Sequence, residues 1–145
     1  MKIVLQRVTK ARVTIDDNEV SSIGKGLLLL VGIHKDDTTE NIDFLASKCV
    51  DLRVFPDDLG KMNLSVRDIR GEVLAVSQFT LLGDCRKGRR PNFANSAASE
   101  KGSHLYERFI TQLGAFGLTV KTGIFGAMMH VELVNDGPVT LILEK

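Results

Sequence analysis

Three polar side chains interrupt an apolar segment in the middle of the chain. In AVSQFTL, residues 75–81, Ser77, Gln78 and Thr80 are hydroxyl or amide residues within four positions. A period of two would put Ser77 and Phe79 on one face of a strand and Gln78 and Thr80 on the other. Such a segment is typical either of a strand that leaves the core for a polar rim, or of a pocket wall where N–H groups meet a carbonyl.

Thr80 is the residue of this segment that could attack a carbonyl carbon. A threonine hydroxyl needs an adjacent base to become a nucleophile, and the sequence shows none beside it. We therefore favour backbone N–H donors around Gln78–Thr80 as an oxyanion-binding site. A general esterase with Thr80 as its nucleophile is the alternative.

The spacing of histidines and cysteines argues against a metal site. His34, His104 and His130 lie far apart, with no HxxxH or HExxH pattern. Cys49 and Cys85 form no CxxC pair, which favours free thiols in a reducing cytoplasm. We predict no metal, no cofactor and a cytoplasmic protein.

A basic loop, CRKGRRP (residues 85–91), follows the polar segment. It carries Arg86, Lys87, Arg89 and Arg90 around one glycine, whereas the net charge of the whole chain is only +1. Such a cluster could bind phosphate groups. It could equally be a solvated loop without a partner.

A second unusual stretch lies near the C-terminal end. Apolar residues on both sides, VELV and VTLILE, predict strands, but Asn135, Asp136, Gly137 and Pro138 between them are depleted from strand interiors. On the residues alone this favours a hairpin turn. The alternative is that the Gly137–Pro138 backbone is itself functional.

Hydrophobic periodicity predicts the elements that must position these residues. Strands are predicted for KIVLQRV, ARVTID, EVSSIGKGLLLLVGI, LRVF, EVLAVSQFTLL, LTVKTGIF, MMHVELV and VTLILE. Helices are predicted near 39–52, with Thr38 or Thr39 as the N-cap, and within 96–117. Their apolar stripes are Ile42, Leu45, Ala46, Cys49 and Val50 in the first, and Leu105, Tyr106, Phe109, Ile110 and Leu113 in the second.

Length and composition indicate one globular domain. The chain has 145 residues, of which 43% are apolar and 26% charged. These strands with two inserted helices predict a single α+β domain over residues 1–145, with a curved, barrel-like, largely antiparallel or mixed sheet. The longest apolar run, LLLLVGI (27–33), is too short to cross a membrane, and no signal peptide or membrane contact is expected.

Taken together, SQFTL (77–81) and NDGPVT (135–140) resemble the paired signatures of the D-aminoacyl-tRNA deacylases, also called D-tyrosyl-tRNA deacylases. The likeness extends through MKIVLQRV, GDCRKGRRPNF and TGIFGAMMHVELV, so it covers essentially the whole chain. It implies a homodimeric cytosolic enzyme with its active site at the subunit interface. That enzyme would hydrolyse the ester between a D-amino acid, or glycine, and the 3′-terminal ribose of tRNA.

The resemblance also implies roles for individual residues. The Gly137–Pro138 bond would be cis and would project from one subunit into the active site of the other, where it would reject L-amino acids. Arg7 would orient that segment. Ser77, Gln78 and Phe79 would bind the aminoacyl carbonyl and α-amino region, and Phe125, Gly126, Ala127 and Met129 would line a pocket for the terminal adenosine.

Elementary chemistry is consistent with these implied roles. A Gly-Pro bond adopts cis at a cost of about 0.5–1 kcal/mol. Rigid backbone oxygens beside the substrate Cα can exclude an L side chain, whereas an apolar pocket discriminates by only about 1–3 kcal/mol per group. An aminoacyl ester is already activated, and the ribose 2′-OH could orient or activate water, so neither a base nor a metal is required.

The basic loop gains a specific interpretation from the same resemblance. Arg86, Lys87, Arg89 and Arg90 would lie near the mouth of the site and contact acceptor-stem phosphates. A non-catalytic tRNA-binding module that uses the same surface is the second alternative.

Overall fold

The computed structural model describes all residues, 1–145, and contains eight strands, two α-helices and one short 3-10 helix. In chain order these elements are β1 (Lys2–Ile15), β2 (Asn18–Ile23), β3 (Gly26–Gly32), α1 (Thr39–Asp51), β4 (Phe55–Pro56), β5 (Met62–Leu64), β6 (Glu72–Ser77), the 3-10 helix (Phe79–Leu82), α2 (Ser99–Ala115), β7 (Thr119–Thr122) and β8 (His130–Glu144).

Strand β1 holds the main sheet together because it is paired along both edges. One edge pairs antiparallel with β3 over Lys2–Val8 and with β2 over Ala11–Ile15. The other edge pairs antiparallel with β8 over most of its length. Beyond β3 the sheet continues with β6 and β7, both parallel to their neighbours. The predicted mixed sheet is confirmed.

The two ends of this sheet approach each other, so the sheet is nearly closed. The hydroxyl of Ser21 in β2 donates to the Thr122 carbonyl in β7 at 2.8 Å. The Lys121 ammonium in β7 donates to the Ser22 carbonyl in β2 at 2.6 Å. These bonds join β2 to β7 across the gap, which confirms the predicted barrel-like curvature.

Buried apolar side chains form one cluster on each face of the sheet. The smaller cluster fills the inner face, and its buried members are Val8, Ala11, Val13, Ile23, Leu28, Leu74 and Val76. The larger cluster lies on the outer face, where α1 and α2 cover it. Leu27, Leu28 and Leu29 of β3 are fully buried, which shows that this strand is covered on both faces.

The two predicted helices are confirmed, and their apolar stripes form the contact with the sheet. All five predicted stripe residues of α1 are buried. In α2 four are buried and Ile110 is partly buried. Thr38 occupies the N-cap position of α1, but its side chain makes no capping bond and contacts the Asn41 amide oxygen instead. The two helices and the sheet form a single α+β domain.

Several strand boundaries differ from the predictions. KIVLQRV and ARVTID are one continuous strand, β1, and MMHVELV and VTLILE belong to one strand, β8. The LRVF segment contributes only its last residue to β4, which pairs with the unpredicted β5. EVLAVSQFTLL is strand only as far as Ser77.

We expect Gly26→Ala to destabilise the protein, because Gly26 lies directly opposite Glu72 in the parallel β3–β6 pair. A Cβ at this position would overlap the Glu72 carbonyl. Overpacking of this kind typically costs about 1–3 kcal/mol. Urea unfolding with an unchanged m-value measures it.

Gly114→Ala is the matched control, since Gly114 lies within α2 with no atom near its would-be Cβ. Alanine there should be neutral or stabilise by up to about 1 kcal/mol. Equal unfolding midpoints for the two variants would contradict the close approach of β3 and β6.

Candidate functional site

Strand β6 ends in a sharp change of backbone direction at the polar segment. Its residues 73–76 are buried, and Ser77 at its end is half-buried. The Gln78 N–H donates to the Val31 carbonyl at 2.7 Å, and the chain then enters the 3-10 helix. The predicted alternation of Ser77 and Phe79 against Gln78 and Thr80 is therefore wrong, because residues 79–82 are not a strand.

Glycine at position 32 allows this turn to pack closely against β3. A Cβ on Gly32 would lie 3.1 Å from the Gln78 carbonyl oxygen and 3.2 Å from the Leu81 side chain. The turn therefore rests directly on the β3 backbone. This packing fixes where the first backbone groups of the 3-10 helix point.

Two adjacent backbone donors remain without an acceptor at this turn. The Gln78 N–H is occupied by Val31, but the N–H groups of Phe79 and Thr80 donate to no protein atom. Both residues are exposed. Fixed N–H groups of this kind can stabilise the oxygen of a carbonyl or of a tetrahedral intermediate.

The Thr80 hydroxyl has an amide as its hydrogen-bond partner. The Gln78 side-chain Nε2 donates to Thr80 Oγ1. An amide group is not a base at neutral pH, so it cannot take the hydroxyl proton. No hydrogen bond connects Thr80 to a histidine or a carboxylate. The geometry favours the backbone over Thr80 as the reactive part of this segment.

An aromatic pair links Phe79 to the end of the basic loop. The Phe79 side chain is 55% exposed, and its ring packs edge-to-face on Phe93 with centroids 5.1 Å apart. The Ser96 hydroxyl also donates to the Phe79 carbonyl at 3.3 Å. A Cβ on Gly83 would lie 2.9 Å from the Phe93 ring, so glycine makes room for it. The sequence contained Phe93 within the resemblance but gave no sign of this contact.

The basic loop is closed at its base, and one of its four cations is already paired. Asp84 and Asn92 exchange backbone hydrogen bonds of 2.8 and 3.0 Å. The Asp84 carboxylate accepts two bonds from the Arg86 guanidinium, at 2.9 and 2.6 Å, which hold the pKa of Asp84 well below its usual range. The remaining cations, Lys87, Arg89 and Arg90, are exposed and form no ion pair.

The segment before β8 crosses the end of β6. The Gly123 N–H donates to the Ala75 carbonyl at 3.2 Å, and the Tyr106 hydroxyl of α2 donates to the same oxygen at 2.9 Å. Burial raises the pKa of Tyr106, so its hydroxyl keeps the proton that it donates. The Phe125 ring lies 5.9 Å from the Tyr106 ring, measured between centroids.

The four predicted adenosine-pocket residues occupy one short turn here. Gly126 has a φ of +77°, which suits glycine, and the Ala127 N–H donates to the Ile124 carbonyl at 3.2 Å. Phe125 packs against the outer cluster, whereas Met129 packs against the inner cluster. The turn therefore bridges the two faces of the sheet close to Ala75 of β6. Tyr106, predicted only as a core residue, packs its ring on Phe125 of this turn and donates its hydroxyl to Ala75 of β6.

Arg7 is a buried residue of β1 that bonds to the segment carrying Gly137 and Pro138. Its Nε donates to the Asp136 carbonyl at 3.0 Å, and its Nη1 donates to the Val54 carbonyl at 2.5 Å. The Asp136 carboxylate lies 3.3 Å from the same Nε. The Gly137–Pro138 peptide bond is cis. Gly137 has a φ of +123°, and a Cβ there would lie 2.7 Å from Arg7 Nη2, so only glycine fits.

The NDGP segment is a large bulge in β8, not the hairpin turn that its composition favours. Asn135 pairs with Val8 and Thr140 pairs with Gln6, so five residue steps on β8 face two on β1. The extra residues must project from the ladder, while β8 continues on both sides of them. Continuous pairing with β1 overrides the local turn signal.

The Gly-Pro bulge and the polar turn do not meet within one chain. In the sheet order, β1 and β3 lie between β8 and β6. Three strand spacings correspond to about 14 Å, and no hydrogen bond joins residues 135–140 to residues 77–80. A cleft of about 820 Å³ lies beside Leu81 and Leu82, but residues 77–80 are not part of its lining.

No group of three or more histidine, cysteine, aspartate or glutamate side chains is placed to hold a metal ion. Neither helix has the length and apolar character needed to cross a membrane.

This fold and site define a small α+β protein in which two exposed backbone N–H groups lie beside a threonine hydroxyl that has no basic partner. The chain belongs to the D-Tyr-tRNA(Tyr) deacylase family, whose model matches residues 4–144. The family that the two signatures resemble is thereby confirmed.

Full-length relatives agree with this assignment. The chain is 56% identical to a D-aminoacyl-tRNA deacylase of Thermotoga petrophila, over all of this chain and 97% of that protein. It is 54% identical to a D-aminoacyl-tRNA deacylase of Clostridium botulinum, with the same coverage.

Two solved structures share the fold. One, described as a c-Myc DNA unwinding element binding protein, superposes with a TM-score of 0.94 at 42% identity, over 100% of this chain and 99% of that one. The other, described as a probable eukaryotic D-amino acid tRNA deacylase, gives a TM-score of 0.87 at 19% identity over 98% and 97%. The second likeness concerns the fold alone.

Proposed function

We propose that this protein hydrolyses the ester bond of D-aminoacyl-tRNA in the cytoplasm, and of glycyl-tRNA as well, releasing the free amino acid and tRNA. Membership of the deacylase family makes it a hydrolase of aminoacyl-tRNA. The observation that carries the chemistry is the pair of unpaired N–H groups on Phe79 and Thr80. These N–H groups can bind the carbonyl oxygen of an ester. No nearby side chain has the adjacent base that a nucleophile needs.

The reaction requires few protein groups in this proposal. Water adds to the ester carbonyl carbon, and the oxygen that becomes negative accepts bonds from the Phe79 and Thr80 N–H groups. The tetrahedral intermediate then expels the ribose 3′-oxygen, which takes up a proton. The neighbouring 2′-OH orients or activates the attacking water. Because the ester is already activated, the proposal needs neither a side-chain base nor a metal.

Substrate contacts follow from the elements around this turn. Ser77, Gln78 and Phe79 line the acyl end, where Gln78 is held by its bond to Thr80. The terminal adenosine binds the neighbouring turn of Phe125, Gly126, Ala127 and Met129. Support for this placement comes from the Gly123 N–H bond to the Ala75 carbonyl, which holds the start of that turn against β6, and from the packing of Phe125 on the Tyr106 ring.

Rejection of L-amino acids is assigned to the Gly137–Pro138 segment. Its backbone oxygens would accept a bond from the substrate ammonium group and occupy the space that an L side chain needs. A hydrogen or a D side chain would point away from them. Support comes from Arg7, whose buried guanidinium fixes the Asp136 carbonyl directly before this segment. Exclusion by a fixed backbone suits strict discrimination.

A homodimer would bring the two halves of this site together. The bulge of one chain lies far from its own residues 77–80, so it would serve the site of a second copy. The outer edge of β8 has no strand partner, and Val134, Leu141 and Ile142 are 46, 37 and 66% exposed. An unpaired edge with exposed aliphatic side chains favours association with another chain.

The basic loop would contact acceptor-stem phosphates without reading bases. Lys87, Arg89 and Arg90 are exposed and unpaired, whereas Arg86 serves mainly to hold Asp84 and the loop base. Support for this comes from the Phe79–Phe93 contact, which joins the end of the loop to the proposed acyl site. The phosphate contacts are therefore assigned chiefly to Lys87, Arg89 and Arg90, with Arg86 shaping the loop.

The proposal is tested with one tRNA carrying a D-amino acid, the matching L-amino acid or glycine. We expect rapid loss of the D and glycyl esters and little loss of the L ester. Release of the labelled amino acid measures each rate. Cleavage of none of the three would contradict the proposal.

A non-catalytic nucleic-acid-binding module is the second candidate. The exposed cations of the basic loop favour it, and it predicts tRNA binding without ester cleavage. The same assay, combined with a filter-binding measurement, therefore separates the two candidates.

We expect Thr80→Ala to retain a substantial part of the deacylation rate, within about tenfold, since the variant keeps the backbone N–H and the Thr80 hydroxyl has no base. Loss of a side-chain hydrogen bond of this type is worth about 0.5–1.5 kcal/mol. Single-turnover kinetics on D-aminoacyl-tRNA measures the change. An inactive but folded variant, or an acyl-enzyme trapped with wild type, would revive Thr80 as the nucleophile.

The terminal 2′-OH should be needed for full activity. A tRNA that ends in 2′-deoxyadenosine, with the amino acid on its 3′-oxygen, should bind normally but react at least about tenfold more slowly, because the group that orients water is missing. Comparison of single-turnover rates at saturating enzyme checks this. Equal rates on the two substrates would count against assistance by the RNA.

A further inference from the structure

We infer that the Asn135 side chain is a positioning residue that sets the D-over-L selectivity by holding the flank of the Gly-Pro bulge that Arg7 does not hold. Its Oδ1 accepts the Val139 N–H at 2.9 Å, and its Nδ2 donates to Thr140 Oγ1 at 2.8 Å. This inference rests on the proposed function and concerns how its selective element is held.

The clamp replaces pairing that the bulge has lost. Because five residue steps of β8 face two of β1, residues within the bulge cannot use the β1 ladder. The Val139 N–H would then lack an acceptor, and the Asn135 amide oxygen supplies one. A short amide side chain that bonds to nearby backbone commonly fixes a local chain reversal.

A second bond ties the two ends of the bulge together. Asn135 and Thr140 are the residues at which pairing with β1 stops and resumes, and their side chains are directly bonded. The Thr140 hydroxyl also accepts a bond from Gln6 Nε2 at 3.3 Å. Asn135, Thr140 and Gln6 thus form a bridge across the base of the bulge and onto β1.

Arg7 and Asn135 act on different residues, so neither duplicates the other. Arg7 fixes the carbonyl of Asp136, and Asn135 fixes the N–H of Val139. Only Gly137 and Pro138 lie between these two anchored positions. Fixing both flanks limits how far the intervening carbonyl oxygens can move toward or away from a substrate Cα.

Removing the bonds that hold one flank of the bulge should therefore lower the selectivity against L-aminoacyl esters more than it lowers the rate of ester hydrolysis. Glycyl-tRNA supplies the reference, because glycine has no side chain for the bulge to reject. The diagnostic quantity is the kcat/KM for the L-aminoacyl ester divided by that for the glycyl ester. A variant that is merely less stable lowers both values together and leaves their ratio unchanged.

The experiment compares three variants, Asn135→Ala, Thr140→Val and Thr140→Ser, with the wild-type protein. Each is used in the oligomeric state in which it is isolated. Asn135→Ala removes both bonds, and we expect the L-to-glycyl ratio to rise about tenfold. Thr140→Val removes the bonds from Asn135 and Gln6 but keeps the Asn135–Val139 bond, and it should raise the ratio about threefold. Thr140→Ser keeps the hydroxyl and should retain the wild-type ratio.

Asn18→Ala is the matched control. Asn18 also makes a local side-chain bond to backbone, at 2.9 Å to the Asp16 carbonyl, but in the β1–β2 turn. It should leave the ratio unchanged. If Asn135→Ala does not fold, Thr140→Val against Thr140→Ser still decides the question.

An unchanged ratio in Asn135→Ala and Thr140→Val, with or without a common loss of rate, would overturn the inference. Failure of the wild-type protein to cleave any of the esters would instead contradict the proposed function. The two failures are thus distinguishable in one set of measurements.

Discussion

Pairing of β1 along both edges is the constraint on which the rest of the molecule depends. Because β2 and β3 occupy one edge and β8 the other, β8 must follow β1 for most of its length. Residues of β8 that do not fit this register can only project outward. The same register places Arg7, a residue of β1, beside the projecting segment. The pairing of β8 with β1 therefore accounts both for the bulge and for the position of Arg7 beside it.

The parallel half of the sheet creates the other part of the proposed site. Where β6 ends beside β3, Gln78 makes the last ladder bond and the following two N–H groups have no strand to bind. The 3-10 helix begins at this edge, Phe93 after the basic loop contacts Phe79, and the segment before β8 bonds to Ala75 of β6. Two half-sites therefore arise from one sheet, at positions that a single chain does not bring together.

The sequence predicts those features that depend on local periodicity. Both helices and nearly all of their buried stripe residues follow from spacing alone, because a helix on a sheet must bury one face. SQFTL misleads because its composition favours a strand, whereas packing against Gly32 turns residues 79–82 into a 3-10 helix. The composition of NDGP favours a turn between two strands, whereas these residues lie within one strand, β8. Contacts such as Phe79–Phe93 and Asn135–Thr140 join residues by geometry that no periodicity encodes.

The proposed reactive surface is made of main-chain atoms, so mutation affects it differently from a site made of side chains. Exchanging the side chain of Phe79 or Thr80 leaves its N–H in place unless proline is introduced. Mutations can therefore affect these atoms only indirectly, through residues that move the backbone, such as Gly32 and Gly83. Most single substitutions within such a site therefore leave its hydrogen-bond donors in place. Substitutions elsewhere can still change where those donors point.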